Sequence, residues 1–299
     1  MTRMAAESDG QPSGYNTAMP ELPEVETIVR AYRPRLEGRR IVAFTSHWPK
    51  NVSPGAAQVR RSLAERTVVG LIRRGKYIVF HLDDGGCLLV HLRMSGRFEW
   101  AADHDCPPRH VRATWTLDDG NRLLFCDARK FGLIIYTRDF AAATAALGPE
   151  PLSRGFTAEL LGRLLRGRRR QLKPLLLDQS LIAGLGNIYA DEVLFRAGLH
   201  PLQRSDGLTN EQVRRLHQAI RHVLRLAIRH RGTTFDWVYA GGGMQERLQV
   251  YGRTGEPCRQ CGSPIEHLRV AQRGTHVCPC CQKDERVTKN SRRKKVRSR

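Results

Sequence analysis

The sequence predicts an α+β protein of several domains, with an N-terminal β-sandwich, a helical second half and a C-terminal metal-binding module. Three observations carry this prediction. Short apolar runs dominate residues 41–136, apolar residues recur at helical spacing beyond residue 153, and five of the eight cysteines lie within residues 258–281. A chain of 299 residues is long enough for two or more buried cores.

The N-terminal half is expected to form one catalytic domain over residues 19–140. Residues 23–36 carry apolar side chains at helical spacing, and Gly38 predicts the end of that helix. Asp/Gly turns at residues 83–86 and 118–120 indicate hairpins. The apolar runs around them predict strands at residues 68–72, 77–82, 87–92, 113–117, 122–126 and 133–136.

The second half is expected to be helical after a hinge at residues 141–153. Residues 154–250 would form this domain, in which Thr209 and Gln212 match the capping-box pattern of a helix start. One face of that helix would then carry the apolar residues Val213, Leu216, Ile220, Val223, Leu224 and Ala227.

The cysteines near the C-terminus have the spacing of a zinc site, Cys258-x2-Cys261-x16-Cys278-x2-Cys281. Four thiolates in two knuckles suit one tetrahedral structural Zn²⁺, although redox cysteines are the alternative. Residues 251–283 would form this zinc finger, with a hairpin over residues 265–277 that carries Arg269, Gln272 and Arg273 near its tip. Cys280 has no place in the set.

The charge of the chain predicts a polyanionic partner. Fifty Lys+Arg against 29 Asp+Glu give a formal net charge of +21, which favours nucleic acid first and an anionic membrane second. No apolar run has the length of a membrane span, and residues 1–18 lack the apolar core of a secretory signal, so we expect a cytoplasmic protein. Residues 284–299 are expected to be a disordered basic tail that contacts phosphates.

Two short segments allow a structural and a chemical interpretation. Gly184, Gly186 and Asn187 form either a turn between packed helices or a phosphate-binding turn. Pro20 and Glu21 either cap a helix or form a catalytic pair. A secondary amine at Pro20 would have a pKa near ~8 and would form an iminium with an aldehyde-level carbon.

Five motifs follow one another along the chain: MPELPEVET (19–27), HLRMSG (91–96), DARKFG (127–132), the segment 177–195 and VYGRTGEPCRQC (250–261). Together they resemble the motifs of bacterial formamidopyrimidine-DNA glycosylases. The resemblance implies a β-sandwich joined to a helix–two-turns–helix domain with a zinc finger. It also implies a monomeric base-excision repair enzyme that removes 8-oxoguanine and formamidopyrimidines from double-stranded DNA and then cleaves the strand by β,δ-elimination.

The resemblance also assigns roles to individual residues. Pro20 would attack C1′ of the damaged nucleotide, and Glu21 would protonate the sugar as its ring opens. Lys76 would contact the lesion phosphate and transfer protons, while Arg273 would grip the flanking phosphates. The wedge that fills the space of the extruded base would be Met94, Arg129 and Phe131. Further DNA contacts would come from His110, Arg129, Arg168, Lys173 and Asn187.

Two rival functions remain open at this stage. An endonuclease VIII-like enzyme for oxidised pyrimidines uses the same Pro–Glu chemistry but typically has glycine where this chain has Leu22. A non-catalytic zinc-finger DNA-binding protein would keep the zinc and turn motifs and lack the nucleophile.

The N-terminus poses a chemical problem for the glycosylase interpretation. Met19 precedes Pro20, so the proline nitrogen is a tertiary amide that cannot attack C1′. We therefore expect that residues 1–18 are not translated or are cut off, that Met19 is then removed, and that the mature chain spans residues 20–299.

Overall fold

The computed structural model describes residues 19–102, 105–106, 108–234 and 241–284. The disorder predicted for residues 1–18 and for residues 285–299 of the tail falls outside these ranges. Within them, no helix has the length and apolar content needed to cross a membrane.

The secondary structure follows the predicted change from strands to helices. The helices are α1 (Leu22–Leu36), α2 (Ala56–Leu63), α3 (Phe140–Thr144), α4 (Ala158–Leu165), α5 (Leu172–Leu177), α6 (Asn187–Ala197) and α7 (Asn210–Arg229). The strands are β1 (Arg40–Ser46), β2 (Val52–Ser53), β3 (Arg66–Arg74), β4 (Tyr77–Leu82), β5 (Cys87–His91), β6 (Gly96–Ala102), β7 (Val111–Leu117), β8 (Asn121–Asp127), β9 (Leu133–Thr137), β10 (Glu266–Val270) and β11 (Arg273–Val277).

The predicted sandwich is confirmed, and its two layers belong to one hydrogen-bonded sheet. The strand order is β2-β9-β5-β4-β3-β1-β7-β8-β6, and β1 pairs with β3 only at Arg40–Thr67 and Ile41–Arg66. The layers pack face to face, since Phe80 on β4 stacks on Trp115 of β7 with ring centroids 6.2 Å apart. The two layers are therefore joined at the short β1–β3 pairing, where the sheet passes from one layer into the other.

All six predicted apolar runs form strands, but the sequence analysis missed four elements of this half. Strands β1 and β6 interleave polar and charged residues, so they do not stand out as apolar runs. Strand β2 has two residues, and α2 buries only Val59 and Leu63. Each is held by neighbours in the fold, which a local apolar pattern does not reveal.

The helical half has its own core around α6 and α7. Thr209 and Gln212 form the predicted capping box, with Gln212 N–H donating to Thr209 Oγ1 at 3.2 Å and Thr209 N–H to Gln212 Oε1 at 2.8 Å. The predicted apolar face of α7 is buried. Helix α3 occupies the first part of the predicted hinge.

Helix α1 connects the two cores. Leu22, at its first turn, packs into the core of the helical half, whereas Val25, Ile28 and Val29 pack into the sandwich. The residues just before α1 therefore lie where the two halves meet.

Strands β10 and β11 form the predicted hairpin of the cysteine-rich module. Ala271 and Gln272 both have positive φ, 46° and 61°, as a two-residue turn between right-twisted strands requires. This turn starts β11 at Arg273 and directs the hairpin tip toward the junction of the two halves.

Candidate active site

A cleft of about 910 Å³ lies at this junction. It contains residues from every part of the described chain: the segment before α1, the β3–β4 turn, the loops after β5 and β8, the start of α6 and the β10–β11 hairpin. The predicted site residues that line it are Glu21, Lys76, Met94, Phe131, Asn187 and Arg273. Met19 also lines the cleft, and Pro20 beside it is buried.

Glu21 is held at the N-terminus of α6. Its carboxylate accepts the N–H of Gly186 at 2.7 Å and the N–H of Ile188 at 2.9 Å, with Tyr189 N–H farther away at 3.4 Å. Burial raises the pKa of Glu21 to about 7, although the charge of Lys76 and these backbone hydrogen bonds act in the opposite direction. A carboxyl group of this pKa can donate or accept a proton near neutrality.

Two glycines make this arrangement possible. A side chain at Gly186 would collide with the carboxyl group of Glu21. Gly184 has a φ of +92°, and a Cβ there would lie 2.6 Å from Leu22. The turn is therefore a packing turn whose amides bind Glu21, and the phosphate-binding interpretation fails for the N–H groups of Gly186 and Ile188.

Glu24, one turn into α1, supports the same segment. Its carboxylate accepts the Tyr189 hydroxyl at 2.5 Å, the Thr233 N–H at 2.8 Å and the backbone N–H of Glu21 at 2.9 Å. Burial raises the pKa of Glu24, while these hydrogen bonds oppose the shift. Pro20 and Glu21 are thus fixed by a buried network that reaches α6 and the end of α7.

Lys76 lies in the β3–β4 turn and is 6% exposed. Burial lowers the pKa of its ammonium group, and the charges of Glu21 and Glu24 raise it. Its ammonium makes no hydrogen bond within the described ranges. Lys76 therefore lines the cleft with an amino group that is available to a ligand, whereas an ordinary strand lysine would extend into solvent.

The predicted wedge forms one exposed rim of the cleft. Phe131 is 50% exposed, and the Arg129 guanidinium lies 5.1 Å from its ring centre. The buried carboxylate of Asp127 shapes this loop, because it accepts the Gly132 N–H at 2.7 Å, the Arg129 N–H at 3.2 Å and the Ser95 hydroxyl. Phe131 is therefore exposed in a loop that is held by hydrogen bonds to Asp127, and it is not a core residue.

Lys173 corrects the sequence analysis, which predicted a DNA contact there. Its side chain is fully buried, and its ammonium donates to Gly274 O and Thr275 Oγ1 at 2.8 Å each. It also forms an ion pair of 2.7 Å with Asp191. Lys173 cannot reach a phosphate and instead fixes the strand that begins with Arg273.

We expect Lys173→Met to loosen the hairpin that carries Arg273. Removing one partner of a buried ion pair leaves Asp191 uncompensated, at a cost on the order of 3–5 kcal/mol. Hydrogen exchange over residues 266–277 should become faster than in Lys50→Met, which removes an exposed lysine. Unchanged protection of these amides would contradict the positioning role.

The remaining predicted DNA contacts lie in different places. Asn187 is at the cleft, where its amide donates to Gly274 O at 3.1 Å and its Oδ1 is buried without a partner in the described part of the chain. His110, with a φ of 68°, is exposed near the wedge loop, and its carbonyl accepts the Asp127 N–H at 2.9 Å. Arg168 lies outside the cleft, in the turn after α4. Their contacts with DNA stay predictions.

The four predicted zinc ligands come together. The Sγ atoms of Cys258, Cys261, Cys278 and Cys281 all lie within 4.8 Å of one another. The Cys258–Cys281 and Cys261–Cys278 pairs are 3.9 and 3.5 Å apart, and a tetrahedral ion about 2.3 Å from each sulfur would need about 3.8 Å. Cys280 is exposed and outside the set. The residues fit one structural Zn²⁺.

Zinc removal is expected to unfold the C-terminal module and leave the sandwich folded. The module has only a small core, which consists of Val250, Cys258, Ile265 and Cys278 packed against Phe195 of α6, so the thiolates are needed to hold it. Chelation followed by hydrogen exchange should expose residues 255–282 while the β3–β5 amides stay protected. A chelated protein that retains hairpin protection would contradict this.

Family models match three consecutive parts of the chain. The formamidopyrimidine-DNA glycosylase N-terminal domain matches residues 19–134, the formamidopyrimidine-DNA glycosylase H2TH domain matches residues 147–237, and the zinc finger found in FPG and IleRS matches residues 255–283. The chain belongs to the formamidopyrimidine-DNA glycosylase family. The family model for the N-terminal domain begins at Met19, directly before the buried Pro20.

Relatives and solved structures agree with this family. The formamidopyrimidine-DNA glycosylases of Herpetosiphon aurantiacus and Chloroflexus aurantiacus are both 45% identical to this chain, cover 88% of it and are covered over 100% and 98% of their own lengths. Two Lactococcus lactis structures are 38% identical and fully covered. One complex with abasic DNA has a TM-score of 0.83 over 88% of this chain, and one with N7-benzyl-Fapy-dG DNA has 0.84 over 89%.

The sequence analysis did not predict the buried residues that hold the lining of this glycosylase site in place. Asp191 binds Lys173 and also accepts the backbone N–H of His276 at 2.9 Å. One signal was available, because Asp191 and Glu192 interrupt a helix that is otherwise apolar on nearly all sides, and buried charges require partners. No local signal joins Tyr189 to Glu24, which are 165 residues apart.

Proposed function

We propose that this protein is a bifunctional DNA glycosylase and abasic-site lyase of base-excision repair, acting on oxidised purines in double-stranded DNA. One observation carries the proposal. The carboxyl group of Glu21, with a pKa raised to about 7, lies beside Pro20 in a cleft that also presents Lys76 and Arg273. The family models, and solved relatives bound to Fapy-dG or abasic DNA, support it.

The reaction starts at the amine of Pro20, once that nitrogen is the free end of the chain. The amine attacks C1′ and the N-glycosidic bond breaks, so the base leaves with the bonding electrons and takes up the proton that the attached nitrogen loses. Glu21 then gives its proton to O4′ as the C1′–O4′ bond opens, which leaves an iminium between Pro20 and C1′. A neutral Glu21 is needed for this step, and burial favours that form.

The strand is cut by two eliminations from this iminium. Loss of a proton from C2′ expels the 3′ phosphate, and a second proton loss expels the 5′ phosphate. Each departing phosphate carries negative charge that Lys76 and Arg273 are placed to stabilise. Hydrolysis of the iminium returns the amine.

The wedge makes a prediction that separates extrusion from cutting. Phe131→Ala and Met94→Ala should slow excision of 8-oxoguanine, because extrusion of a base costs a few kcal/mol that stacking on these side chains offsets. Cutting of a preformed abasic site should change little. If Phe131→Ala or Met94→Ala slowed excision of 8-oxoguanine and cutting of the abasic site equally, the loss would indicate misfolding.

Arg129→Ala should weaken discrimination by opposing base, since a bidentate contact is worth about 1–3 kcal/mol.

A nicking assay with borohydride trapping tests the proposed function. The substrates are duplexes that carry 8-oxoguanine opposite cytosine, and an oxidised pyrimidine for comparison. We expect cleavage and a permanent protein–DNA link on the 8-oxoguanine duplex, because only an iminium is reduced by borohydride. Preference for the pyrimidine would favour the endonuclease VIII-like alternative, and binding without trapping would favour a non-catalytic protein.

We further propose that the protein acts as a monomer on chromosomal DNA in the cytoplasm. The cleft contains residues from all parts of one chain, so a single copy supplies the whole site. Sedimentation velocity of the complex with a short lesion duplex should give one protein per duplex, and a protein dimer on that duplex would contradict the proposal.

A further inference from the structure

A second concave surface lies on the outer side of α7, and we name it the α7 groove. It has a volume of about 730 Å³ and shares no lining residue with the active-site cleft. Its lining includes five arginines, Arg196, Arg215, Arg221, Arg225 and Arg229, together with His222, whose pKa is lowered by burial and by the neighbouring arginines. Arg196 is in the last turn of α6, whereas the active site is at its first turn, so about nine residues, or roughly 13 Å of helix, separate the two sites.

Most charges of this groove have no neutralising carboxylate among the residues that the structure describes. Among the described residues, Arg196, Arg215, Arg225 and Arg229 have no carboxylate at ion-pair distance. Arg221 donates to two backbone carbonyls, Pro151 O at 3.2 Å and Ser153 O at 2.7 Å. Like charges therefore lie close together without a counterion, which an anionic ligand would relieve.

The row of arginines along α7 is longer than a small anion needs. Arg215 and Arg229 are 14 residues apart on one helix, so the row extends about 21 Å, the length of roughly six base pairs. No aromatic side chain lines it, whereas protein interfaces are enriched in them and DNA interfaces are polar and strongly positive.

We infer that the α7 groove binds the phosphate backbone of a second DNA duplex while the first occupies the active-site cleft. Arg215 and Arg225, both exposed on the outer face of α7 and about 15 Å apart along its axis, would contact phosphates several nucleotides apart on the same duplex. Arg196 would approach the same backbone from the end of α6. Binding here would be independent of sequence and damage, because the groove offers cations and no path to base edges. A protein bound to a lesion would thereby hold a neighbouring segment of DNA.

The test uses the full-length protein in a one-to-one complex with a non-cleavable abasic-analogue duplex of about 15 base pairs. A fluorescent undamaged duplex is then added, and its binding is followed by anisotropy and sedimentation at several salt concentrations. We expect a complex of one protein with two duplexes. In Arg215→Glu/Arg225→Glu, affinity for the second duplex should fall on the order of tenfold or more, and the salt slope should drop by about 0.9 per lost phosphate contact.

A matched control separates this effect from a general loss of positive charge. Arg60→Glu/Arg61→Glu makes the same charge change on two exposed arginines of α2, and it should keep second-duplex binding. Arg215→Ala/Arg225→Ala should show an intermediate loss if the glutamate variant does not fold. Equal losses in both glutamate pairs, or no second duplex on the wild-type complex, would overturn the inference. Binding of inorganic phosphate alone, without a second duplex, would also overturn it.

The proposed excision activity is judged separately from this inference. The Arg215→Glu/Arg225→Glu protein should still nick an 8-oxoguanine duplex at the wild-type single-turnover rate, because neither residue lines the active-site cleft. A protein that binds two duplexes and excises nothing would refute the proposed function without contradicting the binding of a second duplex at the α7 groove.

Discussion

A protein that begins at Pro20 should excise 8-oxoguanine and be trapped by borohydride, whereas one that retains residues 1–19 should bind the same DNA and do neither. The difference is expected to be complete, because an acylated proline nitrogen has no basic lone pair and cannot form an iminium. Met19 also lines the cleft that the sugar must enter. Excision and trapping by both forms on one duplex, together with intact-mass analysis, measure this.

The control is the identity of the N-terminus in the active fraction. If Met19 is removed in the cell, intact mass of an active preparation should fit residues 20–299, and the trapped adduct should map to Pro20. An active protein that keeps residues 1–19 after trapping would refute the proline nucleophile.

Glu21→Gln is expected to reduce excision of 8-oxoguanine by about 10²–10⁴, the usual contribution of a general acid. Glutamine has nearly the same size, and its one carbonyl oxygen can accept the N–H of Gly186 or of Ile188, but its amide has no acidic proton to give to O4′. The loss should be smaller on a preformed abasic site, whose sugar already opens to an aldehyde. Single-turnover rates on the two substrates measure the difference.

The pH profile gives an independent measure of the same role. With a pKa of about 7, half of Glu21 is protonated at neutrality, against under about 1% for a solvated glutamate. The protonated fraction falls as pH rises through that pKa, while the Pro20 amine becomes reactive as it loses its proton near ~8. Excision should therefore peak between about pH 7 and 8 and decline on the alkaline side, and Glu21→Gln should lack this decline.

Glu192→Gln provides the matched control for Glu21→Gln. Glu192 is another buried carboxylate that accepts backbone N–H groups, those of Gln249, Val250 and Tyr251, and burial raises its pKa as well. It does not line the cleft. A similar loss of excision in Glu192→Gln would show that a buried carboxylate is needed for folding and would remove the case for acid catalysis.

The sequence was sufficient where the deciding chemistry is local. The cysteine spacing predicted the zinc set, hairpin turns and apolar runs predicted six strands of the sandwich, and the motifs predicted Glu21, Lys76 and Phe131 at one cleft. The predicted DNA contact at Lys173 was wrong, because the burial of this side chain depends on Asp191 and on a strand about 100 residues later in the chain. No pattern around Lys173 distinguishes a cation bound to protein from one bound to phosphate.

The same limit explains the turn at Gly184 and Gly186. Its glycines and backbone amides have the composition of an anion-binding turn, and the structure places a carboxyl group there. That group belongs to Glu21, which precedes the turn by 165 residues. Sequence composition indicated the type of ligand and could not indicate that the protein supplies it.

The position of the Glu21 carboxyl group makes catalysis depend on the contact between the two halves. The carboxyl group belongs to the segment before α1, but the amides that bind it belong to the start of α6 in the helical half. If the halves separated, water would reach Glu21 and its pKa would return toward the 4.5 of a solvated glutamate. At neutral pH the acid would then have lost its proton before any sugar arrived. Contact between the two halves is thus a condition for acid catalysis by Glu21.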